Sequence, residues 1–157
     1  MRRALSVLCL VLASSPVIAG AEGDVTARIE AAVVGRAYPH VLDTGEVTEE
    51  VRAIAYDAAL RAFRIEVVQS REGERRLVAQ VPLDAVSLGD ASLTDADTPD
   101  ALAFLCEEDM ACIEVEVGTE AERVREIWRG FSIGCAPQVC VAVRADVETL
   151  QALLLEP

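Results

Sequence analysis

The sequence predicts an α+β fold, in which a mostly antiparallel β-sheet or partly closed barrel has a C-terminal helix packed on it. Between residues 51 and 134, short stretches rich in Val, Ile and Phe are separated by polar turns. This pattern is typical of strands joined by hairpins. Near the C-terminus the apolar residues instead recur every three or four positions, which is the period of an α-helix.

Residues 1–21 are predicted to be a cleavable Sec-type signal peptide. Two arginines precede the uncharged apolar stretch 4–13, and small residues follow it, which is the usual order of such signals. Cleavage after Ala21 fits the preferred A-x-A form, and cleavage after Ala19 is the alternative. The apolar stretch is shorter than the ~20 residues of a membrane-spanning helix. We therefore expect a periplasmic or secreted bacterial protein.

The acidity of the chain excludes several classes of partner. Its 157 residues carry 27 acidic and 14 basic side chains, for a formal net charge of −13. Loss of the two signal-peptide arginines would make this −15. Such a chain repels phosphate backbones and anionic lipid surfaces, so we expect neither nucleic acid nor an anionic membrane as a partner. A basic protein of the cell envelope, or divalent cations, would be attracted.

Residues 22–50 are predicted to form a short helix and a loop, ahead of a β-rich, disulfide-stapled domain over 51–157. A helix over Asp24–Arg36 would begin at an Asp N-cap and place Ile29 on an apolar face with valines. The same residues also alternate as in a strand, so that alternative stays open. A proline and a Thr-Gly pair predict a loop over Tyr38–Thr48.

Strands and turns are predicted to alternate through the middle of the chain. Turns are predicted at Asp57–Ala59 and at the polar stretch Ser70–Glu74, and Ser87–Asp100 is the clearest predicted loop. Abundant alanine leaves one helix over Glu49–Phe63 as an alternative. The predicted strands are Val51–Tyr56, Leu60–Val68, Arg76–Val81, Ala101–Cys106 and Cys112–Val117, of which the last two are expected to form a hairpin.

The chain is predicted to end in a helix that begins near Pro137, where a first-turn proline is tolerated. Val139 and the apolar residues after it follow at spacings of three or four positions, which places them on one helical face. A β-branched run leaves a strand up to Arg144 as an alternative, with a shorter helix then beginning at Asp146.

Four cysteines lie outside the signal, and four cysteines in an exported chain imply two disulfides. Cys106 and Cys112 flank five residues, and Cys135 and Cys140 flank four. Local pairing within each couple is the first expectation, because opposed strand residues lie at disulfide distance. The alternative joins Cys106 to Cys135 and Cys112 to Cys140. These spacings suit zinc ligands and thiol-exchange sites poorly.

Three stretches resemble a group of exported bacterial proteins of unknown function with a pleckstrin-homology-like fold. They are VPLDAVSL (81–88), FLCEEDMACIEVEV (104–117) and GFSIGC (130–135), followed by a terminal helix. The resemblance covers residues 51–155 and implies a bent antiparallel sheet closed at one end by that helix. It implies a binding or scaffold fold and carries over no functional residues. Cytoplasmic proteins of that fold bind phosphoinositides through basic loops, which this acidic chain lacks.

Few residues suggest catalysis. His40 is the only histidine and is expected to be exposed in a loop, without the nucleophile that a triad requires. No G-x-S-x-G motif is present. Asp95, Asp97 and Asp100 leave a weak calcium site as an alternative, although the EF-hand pattern fails. We therefore expect no cofactor, no metal site and no enzyme activity.

The expected function is that of a non-enzymatic binding or assembly-accessory module with an acidic docking surface for a protein partner. The alternatives are an enzyme with a cryptic carboxylate site and a passive structural component of the envelope. The residues of the predicted partner surface are Asp95, Asp97, Asp100, Glu107, Glu108 and Asp109.

Overall fold

The computed structural model describes residues 16–94, 98–119 and 121–155. In this part of the chain, nine β-strands form two antiparallel sheets, and two long α-helices pack on them. The predicted α+β fold is confirmed, and the sheets do not close into a barrel.

The elements are α1 (Pro16–Val33), β1 (Ala37–Leu42), β2 (Gly45–Asp57), β3 (Ala62–Ser70), β4 (Glu74–Pro82), β5 (Val86–Ala91), β6 (Ala101–Cys106), β7 (Ile113–Gly118), β8 (Arg123–Trp128), β9 (Gly130–Gly134) and α2 (Pro137–Leu155), with a short 3-10 helix over Glu107–Asp109 between β6 and β7.

The two sheets divide the chain unevenly. Six strands pair in the order β1-β2-β3-β4-β7-β8, and three pair in the order β5-β6-β9. Strands β1 to β4 form a hairpin series, after which the chain crosses to the smaller sheet, returns for β7 and β8, and crosses again. The predicted strands Val51–Tyr56 and Arg76–Val81 fall within β2 and β4, and Leu60–Val68 overlaps β3 except for its first two residues. The alternative helix over Glu49–Phe63 is therefore wrong.

One core lies between the sheets and helices. Alternation along β3 buries Phe63, Ile65 and Val67, each at most 1% exposed, on the side that faces the smaller sheet. Phe63 meets Phe104 of β6 edge to face, with 6.4 Å between ring centroids. Such pairs add to the stabilisation from apolar burial, so this contact holds the two sheets together.

Both predicted helices are confirmed. Val25, Ile29 and Val33 of α1 recur every four residues and are buried, as the apolar pattern predicts. Helix α2 begins at Pro137, so the alternative strand up to Arg144 is wrong. The two helices contact each other. Helix α1 also includes the last residues of the predicted signal peptide, whose residues 1–15 lie outside the described part.

A loop over Tyr38–Thr48 is the first prediction that the structure overturns. This segment forms β1, the turn and the start of β2. Pro39 is tolerated because β1 is an edge strand of its sheet. Val41, two residues on, turns its N–H outward to the Leu93 carbonyl, so the proline nitrogen also lies on the side away from β2.

The predicted loop Ser87–Asp100 is wrong in its first part. Val86–Ala91 forms β5, which pairs along its whole length with β6. Its Ser, Gly and Asp residues lack the apolar alternation that marks a strand. Edge strands tolerate such composition, because pairing to one neighbour and packing through Val86 and Leu88 keep β5 in place.

The predicted cysteine hairpin is also wrong. Ala101–Cys106 and Cys112–Val117 coincide closely with β6 and β7, but β6 pairs with β5 and β9 while β7 pairs with β4 and β8. The two strands therefore belong to different sheets. The segment between them is a crossing, and the disulfide Cys106–Cys112 closes this crossing.

Candidate functional site

Strand register brings four polar side chains of the larger sheet into one row. Glu49 on β2 lies opposite Gln69 on β3, which lies opposite Arg75 on β4. His40 on β1 lies opposite Val47, which shares a face of β2 with Glu49. Because strand side chains alternate, the row occupies the face of the sheet that also forms the core. We call these four residues the polar row.

Glu49 is the centre of the polar row. Its side chain is buried, with 5% of the residue exposed. Its Oε2 atom lies 2.8 Å from His40 Nδ1 and accepts a hydrogen bond of 2.9 Å from Gln69 Nε2. Its Oε1 atom is buried and has no hydrogen-bond partner among the described residues. One carboxylate oxygen therefore has its hydrogen bonds formed, and the other has none.

A cleft of about 340 Å³ opens beside the polar row. All four residues of the row line it on one side, and Leu93, Phe131 and Ser132 line it on the other. We call this space the inter-sheet cleft, because its walls come from both sheets. Its volume falls at the small end of the ~300–1,000 Å³ typical of ligand pockets.

Two aromatic side chains form the end of the inter-sheet cleft. Trp128 and Phe131 lie with ring centroids 6.3 Å apart and a tilt of 34°. The Trp128 indole donates a 2.7 Å hydrogen bond from Nε1 to Glu126 Oε2, which fixes the ring. The cleft thus offers an apolar, aromatic surface next to a buried carboxylate.

Arg75 supplies a positive charge at the cleft. It is exposed, and among the described residues it forms neither an ion pair nor a side-chain hydrogen bond. The neighbouring Arg76, by contrast, pairs with Glu66 at 2.5 Å on the opposite face of the sheet. The guanidinium of Arg75 therefore remains available to an anionic group.

The structure corrects the prediction for His40. It lies in β1 rather than in a loop, its side chain is 22% exposed, and it contacts Glu49. The alternation of Tyr38, His40 and Leu42 is the sequence signal that indicates this strand. Pro39 obscures this signal, because a proline within a segment usually indicates that the segment is not a strand.

The predicted acidic partner surface is only partly described. Asp95 and Asp97 lie outside the described residues, and so does the side chain of Asp109. Glu107 and Glu108 are exposed on the short helix of the crossing. Among the described side chains, the surface therefore rests on these two glutamates, and it stays a prediction.

Asp100 has a structural role. Its Oδ1 accepts a 2.6 Å hydrogen bond from the Leu93 N–H, and its Oδ2 accepts one from the Thr94 hydroxyl. Both oxygens are thus engaged in closing the loop between β5 and β6. The carboxylate also holds Leu93 where it lines the inter-sheet cleft.

Replacing Asp100 with alanine should lower the free energy of unfolding by about 1–3 kcal/mol, since the Leu93 N–H and Thr94 hydroxyl lose their acceptor. Urea denaturation measures the change. Asp100→Asn, which keeps one acceptor oxygen, should lose less. An alanine variant as stable as the wild type would show that Asp100 is available to a partner.

Both predicted local disulfides are confirmed. Cys106 bonds Cys112 and Cys135 bonds Cys140, with Cα separations of 5.7 and 5.3 Å. Such bonds fit an exported protein or another oxidising compartment. Within 16–94, 98–119 and 121–155, no helix is long and apolar enough to span a membrane. The same residues contain no group of three or more His, Cys, Asp or Glu side chains arranged to hold a metal.

Fold and site together define an α+β, two-sheet domain with a ligand-sized cleft between its sheets. No family model, curated protein or solved structure matches the chain. The resemblance to exported proteins with a pleckstrin-homology-like fold therefore stays a prediction, and the function must be argued from the site itself.

Proposed function

We propose that the protein is an exported, non-enzymatic binding domain that takes a small ligand in the inter-sheet cleft. The observation that carries this proposal is the buried, unpartnered Oε1 atom of Glu49. A buried polar atom without a partner costs about 1–3 kcal/mol, and more when it is charged. Folded proteins rarely keep such an atom without a structural or functional reason.

In the part of the chain that the structure describes, two other buried atoms share this property but differ in kind. The Tyr56 hydroxyl is uncharged, and the Nε atom of Arg76 belongs to a guanidinium that pairs with Glu66. Glu49 alone among the three is an acid that lines the inter-sheet cleft. A ligand that donates a hydrogen bond to Oε1 would remove the energetic cost, so binding and stability are coupled at this residue.

Contacts around His40 favour binding over catalysis. A nucleophilic mechanism needs a hydroxyl or thiol within hydrogen-bond reach of its base. Among the described residues, the His40 side chain forms its hydrogen bond with the Glu49 carboxylate and forms none with a hydroxyl or thiol. All four cysteines outside the predicted signal are in disulfides. The His40–Glu49 pair is better suited to hold a ligand than to activate a nucleophile.

Export is proposed on two grounds. The N-terminal sequence has the order of a signal peptide, and the two disulfides suit an oxidising space. A periplasmic location follows if the source is a bacterium with two membranes. The intact mass of the protein recovered from its own cells would test whether residues 1–21 are removed.

The ligand proposal is tested with Trp128, the chain's only tryptophan and part of the cleft wall. A panel of sugars, carboxylates, amines, amino acids and nucleosides is titrated while Trp128 emission is followed. At least one compound should change the emission saturably in the wild type. The response should weaken in Glu49→Gln but not in Glu30→Gln, which alters an exposed glutamate on α1. The proposal would be contradicted if no compound of the panel changed Trp128 emission saturably.

A second candidate function is the docking of a protein partner on the acidic segment between β6 and β7. Glu107 and Glu108 are exposed there, next to Leu105 and Met110, which are 45% and 63% exposed. This combination of charged and apolar groups suits a basic partner with an apolar contact.

Changing Glu107 and Glu108 to glutamine should weaken capture of an envelope partner at low salt, because two of the attracting charges are lost. The measurement compares crosslinked products of the wild type and the double variant in native envelopes. Glu30→Gln/Glu148→Gln, at two exposed glutamates on the helices, serves as the charge-matched control. An unchanged crosslinking pattern would refute this surface.

A further inference from the structure

We infer that the ligand of the inter-sheet cleft carries an amino group at one end, a carboxylate at the other and an apolar or aromatic body between them. This inference rests on the proposed function and specifies the chemistry of its ligand. It follows from three features of the cleft: the acceptor atom of Glu49, the cation of Arg75 and the apolar wall that faces the polar row.

At the buried end of the cleft, beside Glu49, the ligand must supply a hydrogen-bond donor. An ionised carboxylate can only accept hydrogen bonds, and the Oε2 atom of Glu49 is already engaged by His40 and Gln69. Oε1 lacks a partner. A positively charged donor satisfies it better than a neutral one, because a buried charge is least costly when an opposite charge is hydrogen-bonded to it. An ammonium group meets both requirements.

The outer end requires an anion. Arg75 has no ion pair among the described residues, and its guanidinium matches the planar fork of a carboxylate. A second cation on the ligand would be repelled by Arg75 at this end of the cleft, and an amine alone would leave Arg75 without a partner.

Strand spacing sets the distance between the two ends. Glu49 and Arg75 lie two strands apart in register, which is about 10 Å at ~4.8 Å per strand. An α-amino acid holds its amine and carboxylate on one carbon, so it is too short to meet both residues at once. An ω-amino acid or a dipeptide fits better, since each extended residue spans ~3.5 Å.

The apolar wall of the cleft selects the body of the ligand. Leu93, Phe131 and Trp128 line the cleft together with the polar row, and the two aromatic rings offer faces and edges for stacking on another ring. The cleft volume of about 340 Å³ limits the ligand to a small molecule. A rigid aromatic ring with an aminomethyl group and a carboxylate on opposite sides is therefore a suitable probe.

The experiment titrates 4-(aminomethyl)benzoate against the full-length protein and follows Trp128 emission. Benzylamine and benzoate, each of which keeps one end of the probe, are the matched single-ended controls. The two-ended probe should bind about tenfold tighter or more than either control, since a hydrogen bond to a charged group contributes at least that factor.

Single substitutions assign each end of the probe to its residue. Arg75→Gln should reduce affinity for 4-(aminomethyl)benzoate about tenfold and leave benzylamine affinity unchanged. Glu49→Gln should reduce affinity for the two-ended probe similarly and leave benzoate affinity unchanged. Arg36→Gln, at another exposed arginine, is the control and should change neither. Arg75 is a surface residue, so its variant stays informative even if the Glu49 variant fails to fold.

Different outcomes separate this inference from the proposed function. Equal affinities for the three compounds, or an Arg75→Gln variant that binds the two-ended probe like the wild type, would overturn the ligand class. If none of the three binds while a panel compound still changes Trp128 emission in a Glu49-dependent way, the ligand class is wrong and the cleft remains a binding site. If no compound of either set changes Trp128 emission, the ligand class and the proposed binding function are both wrong.

Discussion

Replacing Phe104 with alanine should lower the free energy of unfolding by about 3–5 kcal/mol, the usual loss for a fully buried aromatic side chain. Phe104 has no solvent exposure and lies on β6, the central strand of the smaller sheet. Its ring meets Phe63 of the larger sheet. The substitution therefore removes buried area and opens a cavity where the two sheets meet.

Urea denaturation of the wild type and the variant measures this change. Leu105→Ala is a matched control, because Leu105 is the next residue on the same strand and is 45% exposed. The control should lose less than about 1 kcal/mol, as is usual for exposed sites. Domains of this size have total stabilities of about 5–15 kcal/mol, so the Phe104 variant should lose a large share of its stability. Equal losses in the two variants would contradict the inter-sheet core described above.

The same contact bears on function, because the inter-sheet cleft exists only while the two sheets keep their relative position. Phe104 lies opposite Phe131 in the register of β6 and β9, and Phe131 lines the cleft. A looser core should therefore change Trp128 emission at denaturant concentrations below those that unfold the variant. The ligand site is thus a consequence of how the sheets pack and not of one loop.

Local patterns account for what the sequence predicts correctly. Ile113, Val115 and Val117 alternate with two glutamates, and the structure buries the first set in β7. The spacing of Val143, Val147 and Leu150 predicts the buried face of α2. In both cases the period of a single element decides which side chains meet the core, and no long-range information is needed.

Long-range pairing accounts for the errors in the predicted fold. The short separation of Cys106 and Cys112 suits a hairpin and a crossing equally, because both bring two Cβ atoms within disulfide distance. Only the pairing of β6 with β9 and of β7 with β4 distinguishes them. That pairing depends on packing between segments far apart in sequence.

The sequence does not predict the candidate site, for the same reason. His40, Glu49, Gln69 and Arg75 belong to four strands, and only their register places them in one row. One local signal does exist: Gln69 continues the buried alternation of β3, so a polar residue stands where an apolar one is expected. Polar residues at the core-facing ends of consecutive strands are therefore the sequence signal that indicates a site of this kind.

Removing both disulfides should lower the free energy of unfolding by about 4–5 kcal/mol, roughly 2 kcal/mol for each short loop in the chain-entropy estimate. The bonds close loops between residues 6 and 5 positions apart. The variant carries alanine at Cys106, Cys112, Cys135 and Cys140. Denaturation of the wild type in a strong thiol reductant checks the same loss without a change of sequence.

The two pairs should differ in their effect on the site. Cys106–Cys112 closes the crossing between the sheets, and Cys135–Cys140 ties the end of β9 to the first turn of α2. Loss of the second pair should loosen β9, which carries Phe131 and Ser132 of the cleft wall. The first pair lies against Trp128 itself, because the Cys112 N–H donates to the Trp128 carbonyl at 3.1 Å and Cys106 Sγ lies 3.5 Å from the same oxygen. We therefore expect Trp128 emission to respond more to Cys106→Ala/Cys112→Ala than to Cys135→Ala/Cys140→Ala. A reduced protein as stable as the oxidised one would contradict this role, and it would remove the main structural reason to place the domain in an oxidising compartment.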